Sequence, residues 1–295
     1  MFKKIISEFS YLKRDRYFYE KIIRNQFEIG FQNILIGANE RFSPRFKGFS
    51  QGEEDFFLYV LSRILGLNSF LEFGVEDWRE SNTRILSSLI NGRYCVIDGS
   101  AKNITKIQKS REFYSANVLA LQSWITVENI NNLIVSASSA LSTEFDVISV
   151  DLDGNDYWVL KEITCKPKVL IVEYNSLFGD LKKISTPYKE DFNRFSFDAS
   201  GCIYGASFLA FKSLLSEKGY SLFHVSEMGN NMIFLQNDLV PLVVKIIKGS
   251  PCFREISYRE MHENGVKSFA FFSDARKYVE ANSSKYIDLD KGNFE

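Results

Sequence analysis

The chain has 295 residues, of which 45% are hydrophobic and 25% charged, so it can form one sizeable globular α/β domain with appendages or two small domains. The formal net charge of -1 excludes a global electrostatic argument for nucleic-acid binding. The four cysteines lack metal or redox spacing, no apolar run reaches the length of a membrane span, and the N-terminus lacks a secretory apolar region. These features predict a cytoplasmic protein in a reducing compartment.

The first 45 residues are basic and aromatic. Apolar residues recur along them with helical spacing, at Phe2, Ile5, Ile6, Phe9 and Leu12. The pattern predicts an N-terminal helical extension (1–45) before a main domain (46–240) and a C-terminal appendage (241–295). We expect the extension to cap the domain or to contact a second copy in a homodimer. Its positive charge favours, as an alternative, attachment to a membrane surface or an acidic glycan carrier.

A loop over residues 41–52 leads into a helix that is predicted to start near Gln51 and to end near Leu65. Acidic residues in a first helical turn complement the helix dipole, which explains the acids of 53–55 structurally. Gln51 has no such explanation, so it is a candidate contact for a cofactor.

The segment 69–100 reads as strand, tight turn, helix and second strand. The predicted strands are 70–73 and 94–97, and the helix between them carries Ile85, Leu86 and Leu89 on its apolar side. Two parallel strands joined by one helix form a βαβ unit, which brings both strand ends to the same edge of the sheet.

At that edge, Gly74 would let a ligand approach the backbone, the helix start would offer free N–H groups, and Asp98 would accept hydrogen bonds from two ribose hydroxyls. The three-glycine phosphate-binding pattern is absent, because Glu76 and Trp78 stand where later glycines are expected. The segment predicts a site for a nucleoside without a phosphate, such as S-adenosylmethionine. The competing interpretation is an ordinary buried βαβ unit with an acid at a strand end.

Residues 101–117 predict a second crossover helix, 118–121 a third strand and 130–140 another helix. Trp124 follows the third strand. Its indole is predicted either to form a wall of the ligand site or to lie in the core.

Acidic and amide side chains crowd the ends of the fourth and fifth predicted strands, residues 145–150 and 169–172. They are Asp151, Asp153, Asn155, Asp156, Glu173 and Asn175. Crowded carboxylates repel one another unless a metal, another cation or the sulfonium of a methyl donor lies among them. A turn that caps the next helix explains one or two of these acids, but not Asp151, which is still on the strand. Four oxygen-bearing side chains would suit one divalent cation such as Mg²⁺, or the hydroxyls of a substrate: Asp151, Asp153, Glu173 and Asn175.

The segment 176–205 has little periodicity, and a segment of that length in a compact domain is usually functional, so we predict a substrate lid. Stacking and charge recognition would come from Tyr188, Phe192, Arg194, Phe195 and Tyr204. A helix over 206–218 and an antiparallel hairpin of strands 220–225 and 232–235 follow. His224 in the hairpin is more typical of a core residue than of a base, and the polar end of the chain is expected to fray.

Seven segments together resemble the FkbM-type class I methyltransferases, in particular those encoded with bacterial surface-polysaccharide genes. They are SQGEED (50–55), FLEFGVED with SNT (70–83), VIDGS (96–100), WITVENIN (124–131), DVISVDLDGNDYWVL (146–160), VLIVEYN (169–175) and YGASFLAF with KGY (204–220). The resemblance extends from about residue 46 to 238. The combination of DGNDYW, EYN and GAS is specific, whereas the first glycine motif alone is weak.

The resemblance implies an α/β fold, a Rossmann-like, doubly wound, mostly parallel sheet of about seven strands with the last one antiparallel. It implies S-adenosylmethionine as cofactor and methyl transfer to an oxygen of a small-molecule or glycan acceptor, on a sugar or sugar-linked group. The implied cofactor contacts are Gln51, Glu72, Gly74, Ser81, Asn82, Thr83, Asp98, Gly99, Ser100, Trp124 and Thr126. The implied substrate contacts are Asn155, Tyr157, Asn175, Tyr188 and Tyr204. The chain departs from the family at Glu53, where relatives tend to have glycine, and at Trp78, where a small residue is common near the cofactor.

Methyl transfer is an in-line displacement that requires the acceptor oxygen about 3 Å from the methyl carbon and removal of the hydroxyl proton. The catalytic candidates are Asp151, Asp153, Asp156 and Glu173. In one mechanism they hold a cation that polarises the hydroxyl. In the other, Asp153 or Asp156 is the general base and Glu173 orients it. An anionic acceptor such as a phosphate would need no base. A scaffold that kept the fold and lost the donor, and a nicotinamide-dependent enzyme, are the competing functions, and the missing glycines count against the second.

Overall fold

The computed structural model describes residues 2–36, 47–110, 113–114, 116–263 and 266–291, with side chains from residue 19 onward apart from 258 and 263. The strands are β1 Ser69–Phe73, β2 Arg93–Asp98, β3 Asn117–Gln122, β4 Val147–Val150, β5 Val169–Glu173, β6 Ile184–Ser185, β7 Tyr220–Val225, β8 Asn231–Gln236, β9 Tyr258–Glu263, β10 Val266–Phe271 and β11 Ile287–Asp288. The α-helices are α1 Phe2–Leu35, α2 Glu54–Leu65, α3 Leu86–Leu89, α4 Ala101–Gln108, α5 Ile130–Leu141, α6 Asp156–Glu162, α7 Arg194–Phe197, α8 Phe208–Glu217, α9 Val240–Val243 and α10 Phe272–Ala281.

Seven strands form one sheet in the order β3-β2-β1-β4-β5-β8-β7. Strands β1 to β5 run parallel, and β8 runs antiparallel to both of its neighbours. Every residue of β1, β4 and β5 is buried, as expected for central parallel strands that helices cover on both faces. The predicted fold class is confirmed. The strand order reverses between β1 and β4, which opens a crevice at their carboxyl ends.

The segment after β1 differs from its prediction. A helix was expected from the polar run 76–83 onward, but residues 74–85 form turns and bends, and α3 has only four residues. Glu72 is the physical cause, because its buried carboxylate accepts hydrogen bonds from the backbone N–H of Asn82 and from the hydroxyls of Ser81 and Thr83. These bonds fix an irregular loop, so the expected helix start with free N–H groups does not form directly after β1.

Helix α1 covers the face of α2. Phe27 is fully buried and its ring packs edge-on against Phe56 of α2, with centroids 5.2 Å apart. Glu28 accepts hydrogen bonds from Tyr59 and Arg63, which ties the two helices together. This position fits the predicted cap, while the predicted apolar stripe over residues 2–12 lies outside the described side chains. No helix in the described part of the chain has both the length and the hydropathy that crossing a bilayer requires.

The C-terminal segment packs against the predicted lid. Strand β11 pairs with β6, so the polar end that was expected to fray is ordered as far as this pairing. Buried Asp198 accepts hydrogen bonds from Tyr278 (2.9 Å) and Lys285 (2.8 Å). The side chains of Ala275 and Val279 in α10 join Leu177 and Ile203 in one apolar cluster. The boundaries of the three predicted domains stay predictions.

We expect Asp198→Asn to lower the free energy of unfolding by about 1–3 kcal/mol, because it weakens a buried, charge-assisted network. Burial raises the pKa of Asp198, but the bonds from Lys285, Ser200 and Tyr278 outweigh it and hold the pKa below its usual value. A lowered folded-state pKa means that the stabilisation is present above the unfolded-state pKa and is lost as the pH falls through the folded-state value. Urea unfolding at neutral and acid pH measures both effects.

The matched control is Asp274→Asn, which removes an exposed carboxylate that is paired with Lys277 on α10. Exposed pairs of this kind contribute little, so its effect should stay within about 0.5 kcal/mol. Equal losses in the two variants would contradict the role given to Asp198.

Candidate active site

A cavity of about 400 Å³ lies at the carboxyl edge of the sheet, where the strand order reverses. The ends of β1, β2, β3 and β4 form its wall, and the lid segment (residues 176–205) contributes one side. Its lining consists of Gly74, Glu76, Asp98, Gly99, Ser100, Asn103, Trp124, Ile125, Asp151, Leu152, Asp153, Asn155, Phe192, Asn193, Arg194 and Phe195. Ligands of doubly wound sheets bind at this position, and the volume is typical of small-molecule sites.

Asp98 is the last residue of β2 and lines the cavity. Its Oδ2 accepts a hydrogen bond from the backbone N–H of Glu76 (2.8 Å), and its Oδ1 accepts from the N–H of Ser100 (2.8 Å) and from Asn103 (3.2 Å). Each carboxylate oxygen can accept two hydrogen bonds, so Oδ2 keeps capacity for a ligand hydroxyl. These donors hold the carboxylate in a fixed orientation at the cavity wall.

Trp124 lies on the cavity wall and not in the core. Its side chain is 50% exposed, and its indole N–H donates to the carbonyl of Glu190 in the lid segment at 2.6 Å. A Cβ on Gly99 would lie 2.6 Å from the indole, so only glycine lets the ring pack this closely on the backbone after β2. Trp124 is therefore available as a flat apolar wall next to Asp98.

Glu76 lines the cavity, and the sequence reasoning missed it as a site residue. Left-handed φ angles at Gly74 (75°), Glu76 (46°) and Trp78 (60°) reverse the chain in this loop. As a result Trp78 turns away from the cavity and is buried against Val96 and Ile104, so it does not block the site as its position in the sequence suggested. Burial and the nearby charges of Asp153 and Asp98 raise the pKa of Glu76.

Several predicted cofactor and substrate residues lie outside the cavity lining. Glu72, Ser81, Asn82 and Thr83 bind one another within the loop after β1. Gln51 donates to Glu80 and accepts from Asn230, and Thr126 exchanges hydrogen bonds with Asn129 at the start of α5. The ring of Tyr157 packs on Trp158 and Phe211, and the Tyr188 hydroxyl donates to Glu128. For these residues the geometry indicates support of the surrounding structure, through ring packing for Tyr157 and through hydrogen bonds to protein partners for the others.

Three carboxylates meet at the ends of β4 and β5. One oxygen each of Asp151, Asp153 and Glu173 lies within 4.8 Å of the other two. Burial raises the pKa of Asp151 well above its usual value, and the negative charge of Glu173 raises it further. Burial also raises the pKa of Glu173. Among the neighbouring charges, Arg259 lowers the pKa of Glu173 and Asp153 raises it. We refer to Asp151 and Glu173 as the carboxyl pair.

Two arginines supply positive charge to these acids. Arg194 from α7 forms an ion pair with Asp153 (2.8 Å), and its guanidinium stacks on the ring of Tyr204 at 3.9 Å. Arg259 from β9 stacks on the same ring at 4.6 Å, and the Tyr204 hydroxyl donates to Glu173 (3.2 Å). The sequence predicted that a positive charge lies among these acids, and Arg194, which pairs with Asp153, supplies part of that charge. Arg259 was missed because no local pattern links a strand of the C-terminal segment to β5.

Two predicted site residues are committed to the backbone. Asp156 accepts hydrogen bonds from the N–H groups of Leu152 (2.7 Å) and Gly154 (2.9 Å), so it closes the turn before α6 and does not face the cavity as a base. Burial raises its pKa to about 7. Asn175 donates to the carbonyls of Cys202 and Tyr204 and accepts from the N–H of Leu177, so it does not join the acids as a fourth metal ligand.

Asn155 is the predicted substrate residue that the structure leaves with an unused polar atom. Its side-chain N–H donates to the carbonyl of Lys189 (2.7 Å), and the residue lines the cavity with only 4% exposure. Its Oδ1 is buried and has no hydrogen-bond partner among the described residues. A buried acceptor without a partner costs about 1–3 kcal/mol, so a ligand hydroxyl is its expected partner.

No protein-family model matches the chain, and no curated protein matches it. Among solved structures it is similar to the N-terminal domain of EvdMO1 with SAH bound, at 14% identity and a TM-score of 0.42, over 64% of this chain and 82% of that one. It is also similar to a putative O-methyltransferase from Klebsiella pneumoniae (13% identity, TM-score 0.39, 72% of this chain and 90% of that one). A third is the O-methyltransferase from Bacillus cereus in complex with SAH (17% identity, TM-score 0.39, 72% and 90%). Similarity at this level does not assign a reaction, so the reaction is inferred from the chain's own residues, and membership of the FkbM type stays a prediction.

Proposed function

We propose that this protein is an S-adenosylmethionine-dependent O-methyltransferase. The observation that carries the proposal is the cavity at the switch point of the sheet, which is lined by a ribose-type carboxylate (Asp98), an aromatic wall (Trp124) and two further acids (Asp151 and Asp153). When bound, S-adenosylmethionine would supply a methyl group on a positively charged sulfur. A nucleoside with a cationic centre and no phosphate is complementary to this wall, which has Asp98 and Trp124 on one side and Glu76, Asp151 and Asp153 beyond them.

Each lining residue then has a role. Asp98 accepts a hydrogen bond from a ribose hydroxyl, and Trp124 packs on the adenine. The acids beyond them attract the positive sulfur. Asn155 Oδ1 accepts a hydrogen bond from the acceptor, and Asp151 removes the proton of the acceptor hydroxyl, because a carboxylate with a raised pKa is a stronger base than an exposed one. Glu173, held by Tyr204, is the second member of the carboxyl pair and orients Asp151.

A divalent cation such as Mg²⁺ fits the acids only in part. The oxygens of Asp151, Asp153 and Glu173 are close enough to share one ion, but the fourth predicted ligand, Asn175, is bound to backbone groups. Arg194 already pairs with Asp153. We therefore propose a metal-independent base, and methyl transfer that survives strong chelation is the expected result.

For the acceptor we propose a hydroxyl on a sugar or sugar-linked group of a bacterial surface polysaccharide, in keeping with the FkbM-type sequence resemblance. A phosphate-type group on a glycan is the second candidate, and the arginines beside the acids favour it. We also carry forward, as proposals from the sequence, a cytoplasmic location, a homodimer and peripheral membrane association through α1. Mass spectrometry of surface glycans with and without the gene tests the acceptor, and the loss of one methyl group is the expected difference.

Calorimetric titration with S-adenosylmethionine or SAH tests the proposed cofactor. We expect a single binding event, and we expect Asp98→Ala to weaken it by about ten- to a hundredfold, which is the value of one or two charge-assisted hydrogen bonds. Asp77→Ala is the matched control, because Asp77 is a nearby acid that pairs with Lys106 and does not line the cavity. A wild-type protein that gives no heat and no shift of the melting temperature would support the scaffold instead.

A further inference from the structure

Arg259 is the basic residue that the proposed reaction leaves without a role. It lies on β9, and Met261, two residues further along the strand, packs against the apolar cluster of the lid segment. Side chains two apart on a strand point to the same face, so Arg259 also turns toward the lid. There its guanidinium stacks on Tyr204, 4.6 Å from the ring centroid.

The two guanidiniums on Tyr204 differ in how their N–H groups are used. Arg194 donates from Nε to the carbonyl of Gly201 (2.7 Å) and from Nη1 to Asp153 (2.8 Å). Arg259 has a buried Nε without a partner, and within the described ranges no protein group accepts a hydrogen bond from its side chain. Arg194 is thus held in place by the protein, whereas Arg259 presents unused donors at the same ring.

The position of Arg259 indicates that it would contact the methyl acceptor and not the cofactor. Asp98 ends β2, whereas Tyr204, on which Arg259 stacks, donates to Glu173 at the end of β5, three strand positions away in the order β2-β1-β4-β5. With neighbouring strands about 4.8 Å apart, this separation is roughly 14 Å. Asp151, the proposed base, follows β4, which lies between these two strands. A group held by Arg259 is therefore on the far side of the reacting centre from the nucleoside.

Charge and shape indicate what Arg259 would hold. Arg194 pairs with Asp153, whereas Arg259 stacks on the ring of Tyr204, whose hydroxyl donates to Glu173. The sulfur of a bound donor would bring a further positive charge to this cluster, which an anionic acceptor would offset. A planar guanidinium with free N–H groups matches a carboxylate or phosphate in a bidentate fork, and a neutral hydroxyl uses only one of its donors.

We propose that Arg259 binds a negatively charged oxyanion of the acceptor, a carboxylate or a phosphate, adjacent to the hydroxyl that receives the methyl group. The proposal rests on the proposed methyltransferase function. It makes the acceptor an acidic or phosphorylated sugar-type molecule, and it gives the C-terminal segment a part in substrate selection.

Calorimetry on the full chain saturated with SAH tests this, with inorganic phosphate, glucuronate and neutral glucose as the three probes. We expect at least one anion to bind more tightly than glucose. Arg259→Gln should weaken that anion at least tenfold, and Arg259→Lys, which keeps the charge but loses the fork, should weaken it less. A preference for phosphate or for glucuronate identifies which oxyanion the acceptor carries.

Lys267→Gln is the matched control, because it removes one positive charge from the same hairpin at an exposed site paired with Glu260. It should leave anion affinity within twofold of wild type. The proposal is overturned if neither anion binds better than glucose, or if Arg259→Gln binds the anions as wild type does. SAH affinity and melting temperature are measured on every variant. If the protein binds SAH normally but binds neither anion, only the inference about Arg259 is wrong. If it does not bind SAH, the proposed methyltransferase function is wrong.

Discussion

Asp151→Asn is expected to lower methyl transfer by about 10²- to 10⁴-fold, the usual contribution of a positioned general base. An amide keeps the size of the side chain but cannot take the hydroxyl proton. Asp151 is the acid for this role because it lines the cavity and its pKa is raised by burial and by Glu173, whereas Asp156 is bonded to backbone N–H groups and Asp153 is paired with Arg194. The measurement is transfer of a labelled methyl group from S-adenosylmethionine to an extract of cells that lack the gene.

The affinity for SAH separates chemistry from binding in this test. It should change little in Asp151→Asn, since a loss confined to the rate indicates an interaction made in the transition state. Asp180→Asn, an exposed acid in the lid segment, serves as the control and should transfer methyl groups at the wild-type rate. Undiminished transfer by Asp151→Asn would assign the base to another group or show that the acceptor is already an anion.

The strand ends could be predicted because one rule covers them all. Parallel strands joined by helices place their carboxyl ends on one edge, so the sequence predicts that Gly74, Asp98, Asp151 and Glu173 lie at the same edge. The structure brings these positions to the same edge, and three of the four line the cavity. The periodicity of the apolar residues and the residue types at the strand ends are therefore sufficient to predict which positions share this edge of the sheet.

What each polar atom binds could not be predicted in the same way. Asp151 and Asp156 are five residues apart with the same side chain, yet one faces the cavity and the other caps a turn. The difference lies in local backbone geometry, such as the left-handed φ of 54° at Asp153 between them. Likewise Glu72 was expected at the cofactor, but the hydroxyls and N–H groups of 81–83 satisfy it first.

Residues that reach the site from distant segments were beyond any local pattern. Arg194, Tyr204 and Arg259 meet only because the lid segment and the C-terminal hairpin fold over the end of β5. The sequence predicted a lid with aromatic and basic residues, and it treated residues 241–295 as an appendage. The contact of Arg259 with Tyr204 gives that segment a place beside the acids, which pairing within the main sheet does not reveal.

Gly74→Ala is expected to destabilise the protein by more than about 4 kcal/mol and to abolish SAH binding. A Cβ at position 74 would lie 1.6 Å from the carbonyl oxygen of Asp151, and the φ of 75° is strained for any residue with a Cβ. The backbone cannot shift easily, because the N–H of Gly74 donates to Ile97 (2.9 Å) and the N–H of Asp151 donates to Phe73 (3.3 Å). Relief of the clash would separate β1 from β4, at the bottom of the proposed cofactor site.

Gly66→Ala separates the backbone strain from the clash. Gly66 has a similar φ of 67°, but a Cβ there would meet nothing within 4 Å. Its cost should be only that of the left-handed conformation, about 1–2 kcal/mol, with SAH affinity unchanged. Urea unfolding and SAH titration of both variants measure the difference. If the two glycines cost the same, the close approach of the β1 and β4 ends is not what shapes the cavity, and the cofactor would have to bind elsewhere on the sheet edge.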